Sequence, residues 1–236
     1  MHEQLPLPLP AEASFARADL IEDASNAQAL AFLATSAAWP LGRLALHGPA
    51  GVGKTHMLRV FSTGWRWLGG AALSEAEALA PPEPTALDDA EVAPEEALFH
   101  LINRCAEAAM PLLLAARAPP ARWAVRLPDL RSRLRATTAL GIGPPSDALL
   151  AALLTKHLAD RQLRMAAPAR AFLLARLPRR AAAVADAVAR LDRDSLAEAA
   201  PLTRPFVARS LAGLLDPDEG SVTVATDASP RDPAPG

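Results

Sequence analysis

The spacing of apolar residues divides this chain at Gly143. Before that point, short apolar runs of strand length alternate with stretches of helical spacing; after it, only helical spacing remains. The strand-like runs are Arg43-Leu44-Ala45-Leu46-His47, residues 85–88, residues 112–115 and residues 137–141. Helical spacing is expected over 25–38, with Ser25 or Asn26 as N-cap. It is expected again from residue 54 to about Leu68, where Gly69-Gly70 would end the helix. A third helix is expected over 94–109, where Leu98, Leu101, Ile102 and Cys105 share one face. Residues 71–84 are acidic and proline-containing and show no clear period. Beyond Gly143-Pro144-Pro145, helices are expected over 146–160, 168–177, 178–193 and 203–215. The fold class that follows is α/β: a domain with a parallel sheet over 14–143, then a small all-helical domain over 144–215. The proline-spaced residues 1–13 read as an extended leader. Residues 216–236, rich in Asp, Pro, Gly and Ser, read as a disordered tail.

Composition narrows the function. With 236 residues, 51% of them apolar, the chain can bury a sizeable core in one large domain or two small ones. The net charge of −2 argues against gripping nucleic acid as the main task. The arginines clustered between Arg117 and Arg135 still leave room for a local basic patch. Cys105 is the single cysteine, which excludes an intramolecular disulfide, and its helical position reads as a buried core thiol. No run of eighteen apolar residues predicts a membrane span, and no basic-then-apolar N-terminus predicts secretion, so a cytosolic protein is expected.

The chemistry is concentrated in Gly48-Pro49-Ala50-Gly51-Val52-Gly53-Lys54-Thr55, which matches the phosphate-binding loop G-x-x-x-x-G-K-[ST]. Its glycines let backbone N–H groups surround phosphate oxygens. Lys54 would reach the β- and γ-phosphates, and the Thr55 hydroxyl would hold Mg²⁺. The preceding strand and following helix are the context that the motif requires, and the helix adds its positive N-terminal dipole. A second acidic site is needed near the end of a neighbouring strand, and Thr85-Ala86-Leu87-Asp88-Asp89 supplies one: Asp88 for the Mg²⁺ shell and Asp89 to orient water. Other candidates are less specific on their own. Leu127-Pro128-Asp129-Leu130-Arg131-Ser132-Arg133-Leu134 carries arginines of the kind that stabilise charge on a transferring phosphoryl group, but R-S-R is common on solvated helices. Pro178-Arg179-Arg180 would open a helix and could reach a nucleotide from a lid. In Gln4-Leu5-Pro6-Leu7-Pro8-Leu9, alternate leucines of an extended peptide can enter apolar pockets.

Taken in order and spacing, these segments resemble the DnaA branch of the AAA+ ATPases, and more narrowly the Hda-type regulators of the replication initiator DnaA. The resemblance spans about residues 3–215. It is carried by the leader, Ser25-Asn26, the loop from His47 to His56, Leu87-Asp88-Asp89, Pro119-Pro120, residues 127–134, Leu191-Asp192-Arg193 and Pro205-Phe206-Val207. It implies an AAA+ module with a helical lid and no DNA-binding helix-turn-helix domain, hence no direct sequence-specific DNA binding. It further implies ADP or ATP with Mg²⁺ as cofactors. Leu20 and Ile21 would lie against the base, His56 beside the loop, and Arg179 or Arg180 would reach in from the lid. It implies that Gln4, Leu5, Leu7 and Leu9 bind the β sliding clamp of DNA polymerase III. Arg133 would act as an arginine finger completing the ATPase site of DnaA at the bacterial replisome, and so prevent re-initiation. The chain departs from the family where a small polar residue usually ends the sensor strand: Ala115 and Ala116 stand there, followed by Arg117. An alanine cannot hydrogen-bond a γ-phosphate, so weak hydrolysis by the chain itself is expected. The alternatives are a stand-alone AAA+ ATPase such as a helicase loader, or a clamp adaptor with a vestigial nucleotide site.

Overall fold

The computed structural model describes residues 17, 20–35 and 39–215. Five short strands form one parallel sheet: β1 (Arg43–His47), β2 (Arg66–Gly69), β3 (Thr85–Asp88), β4 (Leu112–Ala116) and β5 (Thr138–Gly141). Their order is β2-β3-β4-β1-β5. β1 pairs with β4 from Arg43↔Leu112 to His47↔Ala116, and with β5 from Leu44↔Thr138 to His47↔Gly141.

Side chains alternate across the strands, so both sheet faces are apolar and both are covered, as parallel sheets require. Ala45, Leu87, Leu112 and Leu114 point to the face covered by α3 (Glu75–Leu79), α4 (Glu95–Glu107) and α5 (Pro128–Arg135). Leu44, Leu46, Ala86, Leu113 and Ala115 point to the other, covered by α1 (Ala27–Leu33) and α2 (Lys54–Phe61). The helical region has its own core, built from α6 (Asp147–Asp160), α7 (Ala167–Leu174), α8 (Ala181–Glu198), α9 (Arg204–Ser210) and α10 (Ala212–Leu215).

Several expected boundaries are corrected. The helix after the loop stops at Phe61, not near Leu68, and residues 66–69 are a strand. Ser62 turns its hydroxyl back on the Leu58 carbonyl at 2.7 Å, Gly64 takes φ +80°, and the chain re-enters the sheet beside β3. Tertiary pairing overrides a continuous apolar pattern there. The uncertain 71–84 stretch contains α3, opened by a reciprocal capping box between Ser74 and Glu77. Asn26 stands at the N-cap of α1, yet caps nothing with its side chain. It reaches back instead, donating to the Ile21 carbonyl at 3.0 Å and accepting from the Asp23 N–H at 2.8 Å. α8 begins only after Arg180, so Arg179 and Arg180 precede the helix rather than lying in its first turn.

Candidate functional site

The loop from Gly48 to Gly53 leaves the carboxyl end of β1, where open parallel sheets gather their ligand sites. Gly48 is packed so closely that a Cβ would lie 2.3 Å from the Ile142 carbonyl oxygen. Gly51 and Gly53 take φ of +79° and +104°, a region L side chains avoid. A Cβ on Gly53 would meet nothing within 4 Å, so the loop opens there onto free space. α2 starts at Lys54 with no side chain capping its first turn. Lys54 is only 8% exposed, and its ammonium donates to the Gly48 and Pro49 carbonyls, both at 2.8 Å. Burial pushes its pKa down; Glu91, Asp88 and Asp89 oppose this in that order, and Arg117 adds to it.

The structure brings Thr55 and Asp88 together: the Thr55 hydroxyl donates to Asp88 Oδ2 at 2.7 Å. The other Asp88 oxygen accepts the Asp89 N–H at 3.1 Å. Asp89 is exposed, with φ +49°, in a turn covered by Gly70, whose added Cβ would lie 2.0 Å from the Asp89 carbonyl oxygen. That turn swings Glu91 back towards Lys54. Glu91 Oε1 accepts the Arg117 N–H at 2.8 Å, and Oε2 is buried without a partner. No spacing rule pointed to Glu91; an acid three residues after Asp88 is its only trace in the sequence. Ala115 and Ala116, both fully buried, offer no polar side-chain atom to the site, though the Ala116 carbonyl accepts the Gly48 N–H at 3.3 Å.

The helical region closes directly on the loop. The Ala182 N–H donates to the Gly51 carbonyl at 3.1 Å, and Arg180 lies against Gly51, its Cβ 3.2 Å from where a Gly51 Cβ would stand. Arg179 turns away to a salt bridge with Asp147. Of the two candidate lid arginines, Arg180 is therefore the one at the loop. His56 faces the same region, near His157, whose pKa is lowered by burial first, then by Arg161 and Lys156, with His56 the smallest contributor. Leu20 and Ile21 are half-buried, and Leu20 packs on the core cluster that includes Val52. Their segment is fastened to the start of α6: Asp23 Oδ1 accepts from the Ser146 hydroxyl at 2.5 Å, and Oδ2 from the Ser25 hydroxyl at 2.6 Å. These bonds hold the Asp23 pKa at about 2.

Arg133 is elsewhere. Its carbonyl accepts from Arg43 Nη2 at 3.0 Å, which places it at the amino end of β1. The loop leaves the carboxyl end, about 13 Å away at 3.3 Å per residue. The Arg133 guanidinium lies over the Phe99 ring, 5.4 Å from its centre, beside a groove of about 610 Å³ lined by Leu41, Met110 and Ser132 among others. Gln4, Leu5, Leu7 and Leu9 lie outside the described residues.

The loop glycines, the uncapped first turn of α2 and the Thr55–Asp88 pair fit a nucleotide diphosphate or triphosphate with Mg²⁺. Among the described residues no group of three His, Cys, Asp or Glu forms a metal site by itself. Mg²⁺ needs no such group, since it takes one or two protein oxygens and completes its shell with phosphates and water. Comparison with known proteins places this arrangement. The family model for the Hda lid domain matches residues 147–211. An uncharacterized protein of Haemophilus influenzae is 31% identical over 182 residues, 70% of this chain and 79% of that one. The fold is that of domain III of the Thermotoga maritima replication initiation protein DnaA (TM-score 0.74, 14% identity, 86% of this chain and 98% of that chain).

The chain is a member of the Hda-type, DnaA-related AAA+ proteins. The same AAA+ architecture occurs in the Thermotoga maritima RuvB branch-migration motor (TM-score 0.62, 18% identity, 81% and 70% covered). It occurs also in a DnaA bound to AMPPCP and single-stranded DNA (TM-score 0.64, 13% identity, 78% and 68% covered). In this Hda-type chain no described helix is long and apolar enough to cross a membrane.

Proposed function

We propose that this protein is a nucleotide-bound regulator that inactivates the replication initiator DnaA by stimulating its ATP hydrolysis. The observation that carries this reading is the separation of Arg133 from the chain's own loop by the length of β1. An arginine there cannot serve the site in the same chain; it faces a neighbouring molecule. Arg43, buried and bonded to both the Arg133 carbonyl and Thr137 Oγ1, fixes the end of the helix that presents it.

At the chain's own site, Gly48 to Thr55 holds the phosphates of ADP or ATP. Thr55 and Asp88 hold Mg²⁺, Arg180 closes from the lid, and Leu20 and Ile21 lie against the base. The magnesium nucleotide supplies charge and shape that hold lid and sheet together. Alanines at 115 and 116 leave no side-chain donor at the end of β4, so hydrolysis at this site is weak. Asp89, exposed at its turn, is free to reach water there. The leader residues Gln4, Leu5, Leu7 and Leu9 bind the sliding clamp, which brings the protein to newly replicated DNA, and the resulting DnaA-ADP prevents re-initiation.

The test mixes the protein with clamp-loaded DNA and DnaA-ATP and follows phosphate release. Stimulation by the wild type that Arg133→Ala abolishes, with nucleotide affinity of the variant unchanged, is the expected result. Absence of stimulation, or stimulation that survives Arg133→Ala, overturns the reading.

A further inference from the structure

The helical region differs in charge from the rest of the chain. Residues 147–215 contain eleven Lys and Arg against six Asp and Glu, although the whole chain is net −2. The acids are largely committed. Asp147, Asp160, Asp192, Asp194 and Glu198 each pair with Arg179, Lys156, Arg161, Arg190 and Arg209 respectively. Six arginines of this region are left over: Arg180 lies at the loop, Arg193 stands apart, and the other four lie together. Arg164 and Arg170 line a groove of about 420 Å³ whose other walls include Leu163, Met165 and Leu202. Thr203 borders the same groove, and its neighbour Arg204 lies over the Phe172 ring at 5.1 Å. Arg176 lies over that ring too, at 4.4 Å. Among the described residues none of the four guanidiniums meets a carboxylate. Two guanidiniums on one aromatic ring repel each other, and an anion between them relieves the repulsion.

We infer that this face of the lid is a second binding site, one that takes the sugar-phosphate backbone of nucleic acid without reading sequence. Four guanidiniums without carboxylate partners, two lining an apolar groove and two beside it on the Phe172 ring, match a row of phosphates spaced along sugars. The site is separate from the loop at Gly48–Thr55 and from Arg133, so it stands whether or not the protein acts on DnaA.

Fluorescence anisotropy with labelled oligonucleotides of about 20 nucleotides, single- and double-stranded, tests this. Four phosphate contacts give a salt slope of about −3.6 on duplex and about −2.8 on single strands. Duplex affinity therefore falls roughly 100-fold, and single-strand affinity roughly 50-fold, between about 50 and about 200 mM salt. The triple variant R164Q/R176Q/R204Q, with an unchanged circular dichroism spectrum, should lower the duplex slope to about −1. Arg170 is left in place because its Nε holds the Met165 carbonyl at 3.0 Å. Three outcomes overturn the inference: no nucleic-acid binding at the lower salt, an unchanged slope in the triple variant, or loss of the slope in R131Q/R135Q instead. Equal binding of labelled polyglutamate, also lost in the triple variant, would assign the face to an acidic protein segment and overturn the nucleic-acid reading.

Discussion

Gly70→Ala tests whether the acidic turn of the site is held from behind by sheet packing. Gly70 follows β2, and its Cα presses on the turn after β3. An added methyl would stand 2.0 Å from the Asp89 carbonyl oxygen, 2.8 Å from its carbon and 3.2 Å from the Asp88 oxygen. Ordinary carbon–oxygen contact is about 3.4 Å, so backbone has to give by more than an ångström. Asp89 already stands at φ +49° and has little room to turn. Overpacking of this kind costs about 2–3 kcal/mol, which lowers the melting temperature of a chain this long by about 5–10 °C. The displaced turn also carries both Asp88 bonds, to Thr55 and to the Asp89 N–H, so Mg²⁺-dependent nucleotide binding should weaken by about tenfold or more. Gly69→Ala is the control, because a Cβ there meets nothing within 4 Å and φ is −100°. Differential scanning fluorimetry and titration with a fluorescent ADP analogue measure the two effects. Equal melting temperatures for Gly70→Ala and Gly69→Ala would refute the packing argument. A destabilised Gly70→Ala with unchanged Mg²⁺-dependent affinity would refute the link from turn to site.

Arg43→Lys removes the planar fork that bridges Thr137 and the Arg133 carbonyl. It should cost about 1–2 kcal/mol in urea unfolding and reduce stimulation of DnaA with Arg133 intact; unchanged stimulation would show that Arg43 does not position it. Glu91→Gln keeps an acceptor for the Arg117 N–H but removes a negative charge that supports Lys54 and would face a phosphate. Metal-free ADP should bind several-fold tighter to that variant in calorimetry, and weaker binding would exclude Glu91 from the site's field. Asp23 has its folded pKa lowered from 3.8 to about 2, so its stabilising bonds are fully present above the ordinary value and are lost as pH falls through about 2. Melting curves across that interval should show a steeper acid limb for the wild type than for Asp23→Asn, and superimposable limbs would refute the Asp23–Ser146 link.

The legible parts of this molecule are those where local chemistry decides the structure. The loop could be read because glycines at 51 and 53 must take positive φ before a helix, and because Lys54 and Thr55 follow at once. β1, β3, β4 and β5 could be read because buried parallel strands are short apolar runs. β2 could not: Arg66-Trp67-Leu68 continues the helical spacing of α2, and only pairing with Thr85-Ala86-Leu87 makes it a strand. The choice between Arg179 and Arg180 was equally hidden, because it depends on Asp147, more than thirty residues earlier, taking Arg179 out of reach of the loop. Glu91 was hidden because its approach to Lys54 comes from the left-handed Asp89 and the closeness of Gly70, not from any spacing of acids.

These placements separate two tasks along β1. At its carboxyl end, the loop is joined to the lid through Gly51, Ala182 and Arg180, and the entry segment is joined to the same lid through Asp23 and Ser146. A phosphate group at the loop therefore acts first on the angle and firmness of the lid. At its amino end, Arg133 is held by Arg43 and Phe99, both part of the sheet domain, and by nothing from the lid. On the proposed reading the nucleotide is thus better placed to set how the lid is presented than to act on Arg133, whose contacts are with Arg43 and Phe99.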